Sequence, residues 1–215
     1  VETRGCASLR RADAGLIPAG PVRLWVNREC SETLLLSFEV YDTPVEKHSA
    51  EVADLATEAH DALQAQDGVR GERFLKDALA REPDAPDLLN NLAAAYGLQG
   101  RREEAHALLR QVHAKHPDYW FGRIGVARLA IEAGQLDEAQ ALLRPMLEQK
   151  RLHTSEFAAL AMAEIDLQLA RGETQGAQSW LKLWESIAPD HPALAGQRRR
   201  IGTAGRFAWL TRRRP

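Results

Sequence analysis

"NLAAAYGLQGRREEAHALLRQVHAKHP", from Asn91 to Pro117, returns 34 positions later as "GVARLAIEAGQLDEAQALLRPMLEQKR", from Gly125 to Arg151. Most letters change, but a frame of small and aliphatic residues stays. One column of that frame reads Leu75, Leu109, Leu143 and, after four extra residues, Leu181; another reads Ala78, Val112, Met146 and Trp184. Glycines recur at Gly100, Gly134 and Gly172, each followed five residues on by an alanine, at Ala105, Ala139 and Ala177. Pro83, Pro117 and Pro189 close three of the units. A constant period of this size marks stacked repeats, each too small to bury its apolar face alone.

Inside a unit the spacing is helical. Leu89, Leu92, Ala93 and Tyr96 fall on one face of a helix, and after Gly100 the series restarts with Ala105, Leu108, Leu109 and Val112. The glycine stands where one helix stops and the chain turns, a place that favours positive φ. The small residue at Ala105 suits a close approach of two helix backbones. The invariant letters are thus a packing seam, and the variable ones face solvent or a ligand. An ordinary antiparallel bundle with accidental spacing is the rival reading. The four extra residues before the last unit make about one helical turn. They predict a lengthened helix over 154–170, capped by Thr154 or Ser155, with Phe157, Leu160, Ala161, Ile165 and Gln168 on one side.

This pattern resembles the tetratricopeptide repeat family. Residues 86–119 carry it best, through Leu89, Leu92, Ala93, Tyr96, Gly100, Ala105, Leu109, Val112 and Pro117. Residues 120–153 and 154–191 follow with departures such as Arg123 and Ala130. Residues 52–85 are degenerate, with Gly71 where the family places Ala. The resemblance implies an α-solenoid of about four helical hairpins whose first helices line a concave groove. Carried over position by position, it puts His60, Asn90, Asn91, Phe121, Arg128, Met162 and Asp166 in that groove, among neighbours such as Asp87, Gly125 and Ala163. Asn90 and Asn91 offer both donor and acceptor to a peptide backbone. Arg128 suits a carboxylate or carbonyl, and Phe121 and Met162 supply adaptable apolar contact. One subtype of the family clamps a chaperone's terminal carboxylates. Its positions hold Ala56, His60, Asn91, Phe121 and Gly125 here, so only the Asn survives and that clamp is not expected.

Two regions do not repeat. Residues 1–45 alternate apolar and polar residues in "PVRLWVN" and "TLLLSFEVYD", which predicts two half-buried strands joined near Cys30. A lone hairpin is marginal in water, so it is expected to lie on the first helices and pair with another protomer, the alternative being a remnant of a larger upstream domain, with Thr43–Val45 as hinge. Residues 192–215 begin with a capping helix, "ALAGQRRRI", and run into a basic tail with Phe207, Trp209 and Leu210. From Gln197 to Pro215 there are seven arginines and no acid. Residues 46–191 hold the four repeats.

Composition bounds the chemistry. Thirty acidic and 28 basic side chains give a formal charge of −2, with 45% hydrophobic residues in 215. No bulk field for nucleic acid results, and no window is apolar for long enough to span a bilayer. Cys6 and Cys30 are too few for a disulfide framework, and a cytoplasmic address is the default. Catalytic and phosphate-loop motifs are missing; "GRIGVA" at 122–127 falls inside a helix. His113 and His116 share a helical face without an evident third metal ligand, and Glu103 and Glu104 point in different directions. The expectation is a non-catalytic binding module or adaptor for a protein or peptide, without cofactor, with self-association open. The alternatives are nucleic-acid or anionic-surface binding through the tail, and service as the interaction module of a larger enzyme.

Overall fold

Each unit folds as two helices joined by a tight turn, and the turn repeats to the hydrogen bond. The computed structural model describes the backbone of residues 22–27, 33–41 and 48–211, and side chains within 39–41 and 48–204. Four helical pairs are present: α1 (Ala50–Gln64) with α2 (Gly68–Leu79), α3 (Pro86–Leu98) with α4 (Arg102–Lys115), α5 (Trp120–Glu132) with α6 (Leu136–Leu147), and α7 (Thr154–Ala170) with α8 (Thr174–Ile187). A further helix, α9 (Leu194–Thr211), packs on α8 and touches α7. Gly100, Gly134 and Gly172 have φ between 75° and 77°. The residue after each donates its N–H five residues back, to the carbonyls of Tyr96, Ala130 and Gln168. In the first pair Gln66 takes that place at φ 62°, and Asp67 N–H closes the same bond onto Ala62. The degenerate unit therefore keeps the turn without the glycine, at the expense of a left-handed non-glycine residue.

The alanines that follow the turns are buried, as the close approach requires: Ala105 at 6%, Ala139 and Ala177 at 0%. The apolar columns lie in the core as well, with Leu75, Leu143, Ala78, Val112, Met146 and Trp184 fully enclosed. Two apolar clusters result. One, around Val52, Ala59, Leu75, Leu88 and Leu92, binds the first two pairs. The larger runs from Ile124 through α7 and α8 to Ile201 of α9.

Successive first helices pack on one another, α1 on α3, α3 on α5, α5 on α7 and α7 on α9, whereas the second helices have no comparable mutual packing. Closer spacing on one side bends a stack toward that side, so the first helices line the inner face. The mainly α solenoid with a small N-terminal hairpin is the observed architecture. Between 154 and 170 the lengthened helix is also found, and Phe157, Leu160, Ala161, Ile165 and Gln168 are all buried.

Its cap differs from expectation. His153, not Thr154 or Ser155, is the N-cap; its ring accepts from Ser155 N–H while Glu156 accepts from His153 N–H at 2.8 Å. The hairpin also docks elsewhere. β1 (Val22–Asn27) pairs antiparallel with β2 (Thr33–Tyr41), and β2 pairs in parallel with β3 (Arg151–His153), a short strand in the link between α6 and α7. Val40 and Leu152 enter the larger cluster, Thr154 Oγ1 donates to the Tyr41 carbonyl at 2.9 Å, and β1 lies beside α8. The hairpin thus rests on β3 and the fourth pair, not on the first helices, because β3 offers a strand edge there. Cys6, Cys30, the hinge at 43–45 and the side chains of Phe207, Trp209 and Leu210 lie outside the described residues.

Candidate functional site

The inner face opens progressively toward the first two pairs. On α1, Ala53, Thr57, His60 and Gln64 are exposed; on α3, Ala94, Gly97 and Leu98 are exposed. A Cβ built on Gly97 would meet nothing within 4 Å, so this part of the floor is open space. Asn90 and Asn91 flank it, both half-buried, and among the described residues neither side-chain amide is hydrogen-bonded within the chain. An amide carries donors and an acceptor that a peptide backbone can match.

Toward the third and fourth pairs the face fills in. Ile124 and Ala163 are buried at 4% and 0% and belong to the core. Gly125 is turned onto α4, where a Cβ would stand 2.8 Å from Leu109 Cδ2. Gly125 and Ala163 were expected in the groove, but α5 sits too close to α4 and α7 for that. Phe121 is half-buried with its ring 5.6 Å from that of Tyr119, and Met162 packs on the larger cluster. Arg128 and Asp166 are brought together: Nε lies 3.3 Å from Oδ2. Asp166 Oδ1 is in turn 2.6 Å from Nη2 of Arg200, on α9. Sequence reasoning left Arg200 in the capping helix, with no place in the groove. Continuing the 34-residue frame past Pro189 would have found it, because Arg128, Asp166 and Arg200 all fall at the ninth position of their units.

Asp87, also carried into the groove by the resemblance, serves a different arrangement at the edge. His48, just before α1, places Nδ1 2.6 Å from Glu82 Oε2 and Nε2 2.9 Å from Asp87 Oδ2. Burial lowers the imidazole pKa, but the hydrogen bonds and charges of Glu82 and Asp87 outweigh it and raise the value above 6.5. A cavity of about 440 Å³ opens here, with Pro83, Asp84 and Tyr119 among its walls. Burial, then the charges of Asp87 and Glu156, push the Tyr119 phenol upward. His113 is on α4 and His116 caps it; burial lowers His113, and His116 Nε2 stands 3.7 Å from Asp84. Glu103 and Glu104 open α4, both exposed, with Glu104 bonded to Arg101.

A face built from the first helices of stacked pairs, partly open and mixed in polarity, defines an α-solenoid. A family model described as tetratricopeptide repeat matches residues 62–120 and 98–165. Residues 62–165 thus belong to the tetratricopeptide repeat family, whose repeats generally mediate protein–protein interaction. Among solved structures, a tetratricopeptide repeat protein from Parabacteroides merdae is 18% identical, over 73% of this chain and 74% of its own, with a TM-score of 0.37. The MamA RS-1 ArsTM double mutant is 13% identical, over 74% of this chain and 97% of its own, with a TM-score of 0.42. No curated protein matches the chain. Among the described residues no helix is long and apolar enough to cross a membrane.

Proposed function

We propose that the inner face of α1, α3, α5 and α7 binds an extended peptide or a helix of a protein partner, and that the chain works as a non-catalytic adaptor or scaffold. The observation that carries this is the pair of unbonded amides, Asn90 and Asn91, beside the exposed Ala94, Gly97 and Leu98. Polar groups aimed over an apolar floor suit main-chain recognition with shallow side-chain pockets. In this reading His60 and Phe121 border the ligand, Met162 gives it apolar contact, and Arg128 and Asp166 meet its polar groups. Residues 46–191 carry the binding array, which the hairpin strands β1 and β2 and the helix α9 buttress. A reducing, cytoplasmic setting fits a chain with two cysteines.

The tail alternative loses support from α9, since Arg198 pairs with Glu185 at 2.6 Å. To test the groove, peptides are selected from a random display library on the full chain and titrated against variants. Ala94→Arg fills the open floor, and Asn91→Ala removes one amide. Each should weaken selected peptides about tenfold, about 1.4 kcal/mol, with an unchanged melting temperature. Selected peptides that bind both variants as tightly as the parent would place recognition elsewhere.

A further inference from the structure

The ninth positions of successive first helices read His60, Ala94, Arg128, Asp166 and Arg200. The last three are in contact across α5, α7 and α9, and their exposures are unequal. The Asp166 side chain is 11% exposed, while those of Arg128 and Arg200 are 49% and 50% exposed. One carboxylate faces two guanidiniums, which leaves one positive charge over. Hydrogen bonding leaves more over still. Neither contact has the alignment of a hydrogen bond, and Asp166 Oδ1 has no hydrogen-bond partner. Arg200 donates to Gln197 Oε1 at 3.0 Å, but each guanidinium carries several N–H groups in a fork that matches a carboxylate. The next acid along the face, Glu132, is engaged by Arg102 at 2.9 Å.

One arginine on each neighbouring helix ties α7 to both α5 and α9, yet about half of each arginine side chain stays exposed on the inner face. We propose that Arg128 and Arg200 anchor an acidic side chain of the bound peptide, with Asp166 the recessed counter-ion that keeps both guanidiniums turned to the inner face. This rests on the groove reading above and names the chemistry of its ligand. The occupant is a peptide because the two guanidiniums lie on an inward-curving face, which a flat membrane surface does not enter. A single surplus charge also falls short of the phosphate track that nucleic-acid binding uses. Apolar groups at Phe121, Met162 and Leu169 on the same helices suit an acidic residue flanked by aliphatic ones.

The random display library supplies the test. Peptides selected on the full chain should be enriched in Asp and Glu, and those selected on the Arg128→Gln/Arg200→Gln double variant should not. Changing the acids of the tightest selected peptide to amides should weaken it about tenfold on the parent and leave it unchanged on the double variant. Added salt should erode the parent's preference, because exposed charges are screened. Arg199→Gln, an exposed neighbour on α9, should preserve the enrichment and serves as control. Selections without acidic enrichment, or with equal enrichment on both proteins, overturn the proposal. If such acid-poor peptides are still displaced by Ala94→Arg, the groove reading stands and the acidic anchor alone falls. If no peptide is selected, both fall.

Discussion

Replacing Glu72 by Gln should loosen the joint between the first two helical pairs. Glu72 lies on α2 with its side chain 14% exposed. It accepts from Gln99 Nε2 at 2.7 Å and Arg101 Nη1 at 2.9 Å, in the turn joining α3 to α4, and faces Lys76 Nζ at 2.6 Å. The hydrogen bond from Lys76, then those from Gln99 and Arg101, overcome burial and hold the carboxyl down from 4.5 to about 2. At 1.36 kcal/mol per pH unit, that interval sets a ceiling of about 3 kcal/mol. Lys76 is 56% exposed and Arg101 32%, so solvent screening brings the expected contribution to about 1–2 kcal/mol. The folded value lies below the unfolded one, so this stabilisation is complete above the unfolded value and disappears as pH falls from about 4.5 toward 2. Urea unfolding followed by circular dichroism, at steps of pH, measures the difference between parent and Glu72→Gln. It should stay constant from neutrality to about pH 5 and then shrink toward zero. A pH-independent difference, or none at neutrality, would refute the assignment of this carboxylate as the joint.

Three further outcomes follow from the same geometry. Gln66→Gly should raise stability by about 0.5–1 kcal/mol in urea unfolding, because relief of a left-handed residue exceeds the added flexibility of glycine; Gln66 stands at φ 62°. Phe157→Ala should destabilise by about 3–5 kcal/mol, since the ring is 0% exposed where β3 meets α7, and a melting temperature near the parent's would contradict that packing. The His48 pKa is raised by Glu82 and Asp87, so its contribution is full below about 6.5 and fades as pH rises through the folded value. Hydrogen exchange at the start of α1 should therefore quicken with pH more steeply than intrinsic exchange in the parent, and without that excess in His48→Gln.

The array was legible because its evidence is a spacing, and a spacing survives substitution. Gly100, Ala105 and Leu109 need only keep their distances for the next unit to be recognised, and the backbone answers with the same turn at Gln66 where the letter has changed. The hairpin's existence was legible for a similar reason, since alternation is local. Its destination was not. β3 is three residues long, "RLH", too short to show a strand period, and its pairing with 39–41 spans over a hundred positions. The groove fell between these cases. Family positions placed Asn90, Asn91 and Arg128 on the inner face, yet could not show that Gly125 abuts Leu109 or that Arg128 already faces Asp166. Distances between neighbouring helices decide those points, and no single unit encodes them.

In the proposed groove, the two halves of the array would divide the work of recognition. The hairpin, β3, α9 and the larger apolar cluster all gather on the third and fourth pairs. The first two pairs share a smaller cluster and are tied at their margins by polar joints, Glu72 to Gln99 and Arg101, and His48 to Glu82 and Asp87. Local opening is easier where fewer apolar contacts must be broken, so the floor at Ala94 and Gly97 belongs to the more adaptable half. Arg128 and Arg200, by contrast, project from helices held in the larger cluster, where a charged fork keeps its geometry between encounters. Under that proposal, fixed charges that set register, beside an adjustable floor that accepts varied side chains, would reconcile selectivity for an acidic residue with tolerance at the rest of a peptide. Were the rigid and open halves exchanged, the charges would have to be ordered anew at each binding event, and the repeat with the most degenerate sequence would carry the most exacting geometry.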